Sequence, residues 1–215
     1  MVRKPQQSRS KITVDAIIEA GFICMVERGM EGTTTRHIAE TAGISVGSLY
    51  EYFKNKEAIY AVMGRYYTDE VLMMLKNIAP SLISVELQQA LEIIFYEFSS
   101  LLQRDNQRYL KCMRYVGALE YEQYVNKMEQ GLMELIMRYV MHHPQYLQLP
   151  NIPTIIYVCI NSGIFPIIRH LILPNPNISF DDMMKGVTRM IMSYVNAELA
   201  ESAKNSKAHT GAAQH

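Results

Sequence analysis

The side chains best suited to bind a ligand by hydrogen bonds and charge lie in the hydroxyl-rich stretch 32–57. Thr34 and Ser45 each stand directly before a short segment with helical apolar spacing, and at that position their oxygens cap a helix by accepting a backbone N–H. Two short helices are therefore predicted, at 36–42 and 46–53. The glycine and isoleucine between them permit the tight turn of a helix-turn-helix.

The second of these helices opens with the run Ser45-Val46-Gly47-Ser48, which is small, polar and poor in helix formers. Small side chains let a backbone approach DNA, hydroxyl groups reach phosphates or base edges, and a helix N-terminus attracts phosphate. Tyr50 and Tyr52 add phenolic hydroxyl groups, and Lys56 adds a positive charge. The pattern indicates DNA binding, but such helix pairs also occur in bundles that bind no nucleic acid, so spacing alone leaves both interpretations open.

The charge balance argues against a broadly basic nucleic-acid-binding protein. The 215 residues contain 21 Lys and Arg against 21 Asp and Glu, which gives a formal net charge of zero. Residues 1–60 hold eight basic and seven acidic groups. A basic N-terminal arm, which could track phosphates or reach a minor groove, is formed by Arg3, Lys4, Arg9 and Lys11. DNA binding would then depend on a few placed donors rather than on bulk charge.

The elements that must position these residues are all helical. A period of 3.6 residues recurs along the chain, which predicts an all-α fold with nine helices. Pro80 is expected to end the fourth helix, Pro166 to kink the eighth, and 201–215 to form a disordered tail. The helices are predicted at about 11–28, 36–42, 46–53, 56–78, 84–104, 107–117, 120–142, 153–173 and 180–200.

Other classes of protein are disfavoured by what the sequence lacks. No uncharged apolar run approaches the roughly 18 residues of a membrane-spanning helix, so no membrane partner is expected. The chain has three cysteines far apart in sequence, Cys24, Cys112 and Cys159, which indicates a protein of the reducing cytoplasm. They are expected to pack as small hydrophobic residues, and redox sensing is the alternative. No phosphate loop, nucleophile elbow or metal-ligand spacing is found. We therefore expect no enzyme activity, no cofactor and no metal.

The run from Gly32 to Glu57, GTTTRHIAETAGISVGSLYEYFKNKE, resembles the DNA-binding signature of TetR/AcrR-type one-component transcriptional regulators, and the resemblance extends over about 10–59. It implies that residues 1–56 form a helix-turn-helix DNA-binding domain, which includes the basic arm. Residues 57–200 would form a larger helical domain for effector binding and dimerisation. It also implies a cytoplasmic homodimer that binds a palindromic operator in double-stranded DNA. A ligand in the larger domain would change the separation of the two DNA-binding heads.

The resemblance implies that ten residues of this chain contact DNA. Arg36 is the strongest candidate for reading a base, since a guanidinium pairs bidentately with guanine, and a phosphate contact is the alternative. Tyr50 and Lys56 are expected to anchor phosphates. The full set is Thr34, Thr35, Arg36, Ser45, Val46, Gly47, Ser48, Tyr50, Tyr52 and Lys56.

An apolar or aromatic small-molecule effector is expected from the composition beyond residue 56, where 12 of the 14 tyrosines and 12 of the 15 methionines lie. Tyr offers an apolar body with one polar tip, and Met fills irregular gaps. An ordinary bundle core rich in Met is the alternative for most of them. The candidate effector residues are Glu97, Met113, Tyr115, Tyr121, Met137, Tyr157 and Asn161.

The last two predicted helices carry apolar faces broader than one neighbour requires, which predicts a two-fold dimer interface with burial inside one subunit as the alternative. The interface candidates are Ile156, Ile160, Gly163, Ile167, Met184, Val187, Ile191 and Tyr194. The resulting hypothesis is a ligand-responsive repressor. An adaptor on the same scaffold and a transcriptional activator are the alternatives, and the sequence identifies neither the operator nor the effector.

Overall fold

The structure is a computed structural model that describes residues 5–113 and 122–212. Within these ranges the chain forms eight α-helices and one 3-10 helix, without strands, which confirms the all-α prediction. The α-helices are α1 Pro5–Gly32, α2 Thr35–Thr41, α3 Val46–Tyr50, α4 Lys56–Leu82, α5 Leu87–Met113, α6 Glu122–His142, α7 Ile152–Ile172 and α8 Phe180–Ala212, and the 3-10 helix is Pro144–Gln148.

Several helix ends differ from the sequence predictions. α4 runs through Pro80 to Leu82, because a proline in the last turn removes only one hydrogen bond of the helix. α5 continues past the predicted break, although Asp105 and Gln107 have positive φ at that place. α8 extends to Ala212, through most of the segment predicted to be a disordered tail, and its Ala, Glu and Lys residues favour helix.

Two compact units make up the chain, Met1–Glu70 with Leu102–Asn126 and Val71–Leu101 with Lys127–His215. The division falls inside α4, whereas the sequence predicts a domain boundary at its first residue. The first half of α4 belongs with α1 because Gly21 lies directly against Ile59 and Met63. The helix-turn-helix is therefore built on a larger base than residues 1–56 alone.

The first unit is held together by a buried apolar core and one charged contact. Ile17, Ile38, Leu49 and Tyr60 are completely buried. Arg108 of α5 also reaches α1. Its guanidinium lies 5.2 Å from the ring centre of Phe22 and 4.8 Å from that of Tyr109, and 2.6 Å separates its Nη1 from the Glu19 carboxylate. The end of α5 is thus fastened to α1 by stacking and an ion pair.

The second unit contains α7, a helix that is apolar on every side. Its mean hydropathy reaches 1.6 over an 18-residue window, so by length and composition alone it could cross a membrane, which differs from the sequence expectation. Only 28% of that window is buried in the chain. α7 therefore has one face in the core and another that the subunit leaves uncovered.

The close packing of α7 can be tested at Gly163. A Cβ there would stand 2.7 Å from two ring atoms of Phe95, whereas a Cβ at Gly186 of α8 would meet nothing within 4 Å. We expect Gly163→Ala to lower the free energy of unfolding by about 1–3 kcal/mol through overpacking. Gly186→Ala should raise it by about 0.5–1 kcal/mol, since it removes backbone freedom from the unfolded chain. Thermal melting of both variants checks this, and an equal stabilisation by the two would contradict the packing.

Candidate nucleic-acid interface

Both short helices of the first unit begin with the hydroxyl caps that the sequence predicts. The Thr34 side chain accepts a hydrogen bond from the backbone N–H of His37 at 3.2 Å, and Ser45 accepts one from Ser48 at 3.0 Å. Gly43 has a φ of 69°, a value that glycine adopts without steric cost. The backbone N–H of Ile44 donates to Ala39 at 3.0 Å, which closes the turn. These contacts define a helix-turn-helix formed by α2 and α3.

The first turn of α3 presents small groups to solvent. Leu49 points inward and is completely buried, whereas Ser45 and Gly47 are exposed. A Cβ at Gly47 would have only the Ser45 hydroxyl within 4 Å, so the surface in front of it is open. Val46 and Ser48 are half-buried beside it. A flat, polar helix end of this kind lets another backbone approach closely.

Two phenols flank this surface, and one of them is fixed in place. Tyr50 and Tyr52 are 52% and 37% exposed. The hydroxyl oxygens of Tyr50 and Thr35 are 3.1 Å apart, which joins α3 to α2 through a side-chain hydrogen bond. This bond orients the Tyr50 ring at the edge of the exposed turn.

Arg36 lies on the outer side of α2 and is paired within its own helix. Its Nε donates to the Glu40 carboxylate at 2.9 Å, and this hydrogen bond holds the pKa of Glu40 below its usual value. The two side chains are 78% and 58% exposed. Because so exposed a pair contributes little to stability, Arg36 can leave Glu40 for another partner at small cost. The sequence analysis missed Glu40, although its position four residues after Arg36 is the signal for such a pair.

Lys56, the predicted phosphate anchor, is half-buried and forms hydrogen bonds within its own unit. Its ammonium group donates to the backbone carbonyls of Met30 and Thr33 at 3.3 and 3.2 Å. The hydroxyl of Tyr60 donates to the same Met30 carbonyl at 3.3 Å, and the buried hydroxyl of Thr33 donates to Gly29 at 2.7 Å. These contacts satisfy carbonyls at the junction of α1 and α2, so Lys56 helps to hold the head together.

The predicted basic arm is only partly described. Arg3 and Lys4 lie outside the described residues, as does the side chain of Arg9, and Lys11 is exposed on α1. None of the ten predicted contact residues is buried: six are exposed, and Thr35, Val46, Ser48 and Lys56 are half-buried.

A family model described as bacterial regulatory proteins, tetR family, matches residues 17–63. Residues 17–63 therefore form a TetR-family N-terminal domain. It is 38% identical to the HTH-type transcriptional regulator PksA of Bacillus subtilis over 63 residues, which are 29% of this chain and 31% of that protein. It is also 38% identical to the HTH-type transcriptional repressor KstR2 of Mycolicibacterium smegmatis over 55 residues, 26% of this chain and 27% of that protein. The matches thus span less than a third of these relatives.

The likeness in fold extends over most of the chain. A putative TetR-family transcriptional regulator from Mesorhizobium loti superposes with a TM-score of 0.68 over 88% of this chain and 98% of its own, at 14% sequence identity. This agreement confirms the predicted TetR fold beyond the helix-turn-helix. TetR-family proteins are regulators rather than enzymes, as the sequence analysis expected.

Of the seven predicted effector residues, the structure describes the side chains of four, and these four do not line one pocket. Tyr115 and Tyr121 lie outside the described residues, and so does the side chain of Met113. Glu97 is half-buried, whereas Met137, Tyr157 and Asn161 are exposed. The second unit instead contains an apolar cavity of about 90 Å³, and none of these four described side chains lines it. Its walls carry Tyr139, Tyr146 and Cys159 among aliphatic side chains.

The predicted dimer residues mostly face the core of their own unit. Met184 and Tyr194 are half-buried, and the other six are buried: Ile156, Ile160, Gly163, Ile167, Val187 and Ile191. The exposed apolar side chains of α7 are instead Tyr157, Val158 and Phe165, which are 60%, 39% and 69% exposed. Packing within the subunit, the alternative interpretation, accounts for the six buried residues.

The cysteines have the surroundings of small hydrophobes. Burial raises the pKa of Cys112 to about 12 and that of Cys159 to about 11, so both thiols stay protonated at neutral pH. Cys24 is buried, and its Sγ lies 3.3 Å from the hydroxyl oxygen of Thr41.

The role of Lys56 can be separated from phosphate binding by comparison with the exposed Lys54. We expect Lys56→Met to lower the free energy of unfolding by about 1–3 kcal/mol, since the Thr33 carbonyl loses its donor and the Met30 carbonyl keeps only the Tyr60 hydroxyl. Lys54→Met should leave the melting temperature unchanged. Thermal melting of both variants is the measurement. If Lys56→Met keeps the melting temperature but weakens DNA binding and flattens its salt dependence, Lys56 is a phosphate contact and our assignment is wrong.

Proposed function

We propose that this protein is a sequence-specific DNA-binding transcriptional regulator, acting as a homodimeric cytoplasmic repressor that a small apolar effector releases from a palindromic operator. The observation that carries the proposal is the exposed first turn of α3, where Ser45 and Gly47 stand open beside a fixed Tyr50. KstR2, which the chain resembles over 55 residues, is a repressor, and this supports repression over activation.

In this proposal the N-terminus of α3 enters the major groove. Ser45, Gly47 and Ser48 allow close approach and offer hydroxyl groups to base edges or phosphates. Arg36 leaves Glu40 to read a base, and the Thr35–Tyr50 pair contacts the phosphate backbone. These few donors explain how a chain of zero net charge can bind DNA.

We propose that a second copy of the chain covers the exposed side of α7. Tyr157, Asn161 and Phe165 follow one another at four-residue spacing and so share one helical face. Burying this face against its symmetry mate removes its exposed aromatic surface from water. A membrane would also cover an apolar face. It would place the Asn161 amide in hydrocarbon, where the amide oxygen finds no hydrogen-bond donor, and this costs free energy.

The DNA-binding role can be tested at Arg36. On a duplex selected from random DNA by the full chain, we expect Arg36→Ala to weaken binding by about 1–3 kcal/mol and to relax the preference at one base pair per half-site. Arg189→Ala, an exposed arginine of α8, is the matched control and should bind like the unchanged protein. Quantitative titration against the selected duplex and its single-base variants measures both. Unchanged affinity together with unchanged preference would rule out a reading role for Arg36.

The dimer can be tested with a charge on α7. We expect Phe165→Glu to convert the protein to a monomer and to abolish operator binding, because two copies would bury opposed carboxylates. Met141→Glu is the control, since Met141 is an equally exposed apolar residue of α6, at 66% against 69%. Light scattering at micromolar concentration gives the molecular mass. A dimer in the Phe165→Glu variant, or a monomer in the unchanged protein, would refute this interface.

A further inference from the structure

The exposed face of α7 has a polar group at its centre. Since α7 spans Ile152–Ile172, Asn161 lies next to its middle residue. Tyr157 and Phe165 stand one turn to either side and are 60% and 69% exposed, and Val158 beside them is 39% exposed. The face that the proposed dimer would bury is therefore apolar toward both ends and carries one amide between two aromatic rings.

This amide is only partly satisfied by its own helix. Its Nδ2 donates to the backbone carbonyl of Tyr157 at 2.9 Å. That is the hydrogen bond that the described residues provide, so the second N–H of Asn161 and its amide oxygen remain for a partner outside the helix. Burying these groups against an apolar surface would cost free energy, because their water would be lost without replacement. A second copy that covers α7 therefore has to present a polar group at this point.

Two-fold symmetry supplies such a group in one arrangement. When the axis passes through Asn161 at right angles to α7, the amide meets the same amide of the second copy. Each amide then donates its free N–H to the oxygen of the other, and both are satisfied without any further polar residue. The same axis lays Tyr157 of each copy against Phe165 of the other, because these residues stand four positions before and after Asn161. Such aromatic pairs add stability beyond the area that they bury.

Charge favours this antiparallel contact over a parallel one. Arg169 is exposed near the C-terminal end of α7, and its Nη1 donates to the Leu173 carbonyl at 2.8 Å. In the antiparallel contact the two Arg169 residues lie about 24 Å apart along the helices, at roughly 1.5 Å of rise per residue. A parallel contact would place the two guanidinium groups side by side, where like charges repel each other.

We infer that Asn161 lies on the two-fold axis of the dimer, and that the pairing of the two Asn161 amides fixes the register in which the copies meet. Asn161 is then a specificity-determining residue of the interface. It stabilises the dimer less than an apolar side chain would, and it excludes every register that leaves an amide unpaired. The inference rests on the proposed function, because it requires a dimer formed through α7.

Cysteine cross-linking of the full chain tests the position of the axis. Asn161→Cys, Tyr157→Cys and Phe165→Cys are made separately in a chain that also carries Cys159→Ala, because Cys159 lies on the same helix. A disulfide needs Cα atoms within about 7 Å of each other. The two copies of residue 157, or of residue 165, would be at least about 12 Å apart. On oxidation with copper phenanthroline we therefore expect Asn161→Cys to give at least about tenfold more covalent dimer than either other variant.

A mixed dimer and a background control complete this experiment. Tyr157→Cys and Phe165→Cys chains, co-expressed with tags of different mass, are expected to form more covalent heterodimer than either forms homodimer. The Cys159→Ala chain alone should stay non-covalent. Self cross-linking of Tyr157→Cys and Phe165→Cys as strong as that of Asn161→Cys would show a parallel contact. Stronger cross-linking between Asn161→Cys and Tyr157→Cys chains would show an amide paired with a phenol. Either result would overturn the inference.

Asn161→Leu tests whether the amide sets the register. Added to the Tyr157→Cys chain, it is expected to raise self cross-linking at least about threefold, since an apolar side chain lets the two helices slide. Gln130→Leu, at an exposed position of α6, is the matched control and should leave the pattern unchanged. An unchanged pattern with Asn161→Leu would refute the role of Asn161.

Light scattering of every variant before oxidation separates the two levels of the proposal. A monomer in the Cys159→Ala chain contradicts the proposed dimer and the inference with it. A dimer in which Asn161→Cys does not cross-link contradicts only the inference, and the proposed function is unaffected.

Discussion

The DNA-binding head depends on how the carbonyl groups at the end of α1 are satisfied. α1 leaves helical geometry at Gly29, where φ is 73°, and α2 begins only six residues later. The carbonyls of this last turn and of Thr33 accept hydrogen bonds from the hydroxyls of Thr33 and Tyr60 and from the ammonium group of Lys56. Because a buried carbonyl without a donor is costly, these contacts fix the direction in which the chain enters α2. The hydrogen bond between Thr35 and Tyr50 then fixes the orientation of α3 against α2.

Features that depend on a few neighbouring residues could be predicted from the sequence. The caps Thr34 and Ser45 act within three residues of their own positions. The start of α8 is similar, since Ser179 and Asp182 bond to each other there. Lys56 could not be predicted in the same way, because its two acceptors lie 26 and 23 residues away and are backbone atoms.

The second unit was harder to predict because α7 is apolar over most of its surface. α7 is apolar all round, so its periodicity cannot distinguish the face that packs inside from the face left outside. The predicted interface residues Ile156 and Ile160 lie in the core, and their neighbours Tyr157 and Asn161 are exposed. The exposed face of α7 is therefore displaced from the predicted one by one residue around the helix. The cavity was likewise beyond the sequence, since six elements distant along the chain form its walls.

The central claim, that α3 of a two-fold dimer reads DNA through a few placed groups, is tested most directly by footprinting. Hydroxyl-radical or methylation footprinting of the full chain on a duplex selected from random DNA would map the contacts. The account predicts two symmetric protected segments in major grooves on one face of the duplex, about 10 base pairs or a multiple apart. A single unsymmetrical footprint, or none at any selected sequence, would contradict it.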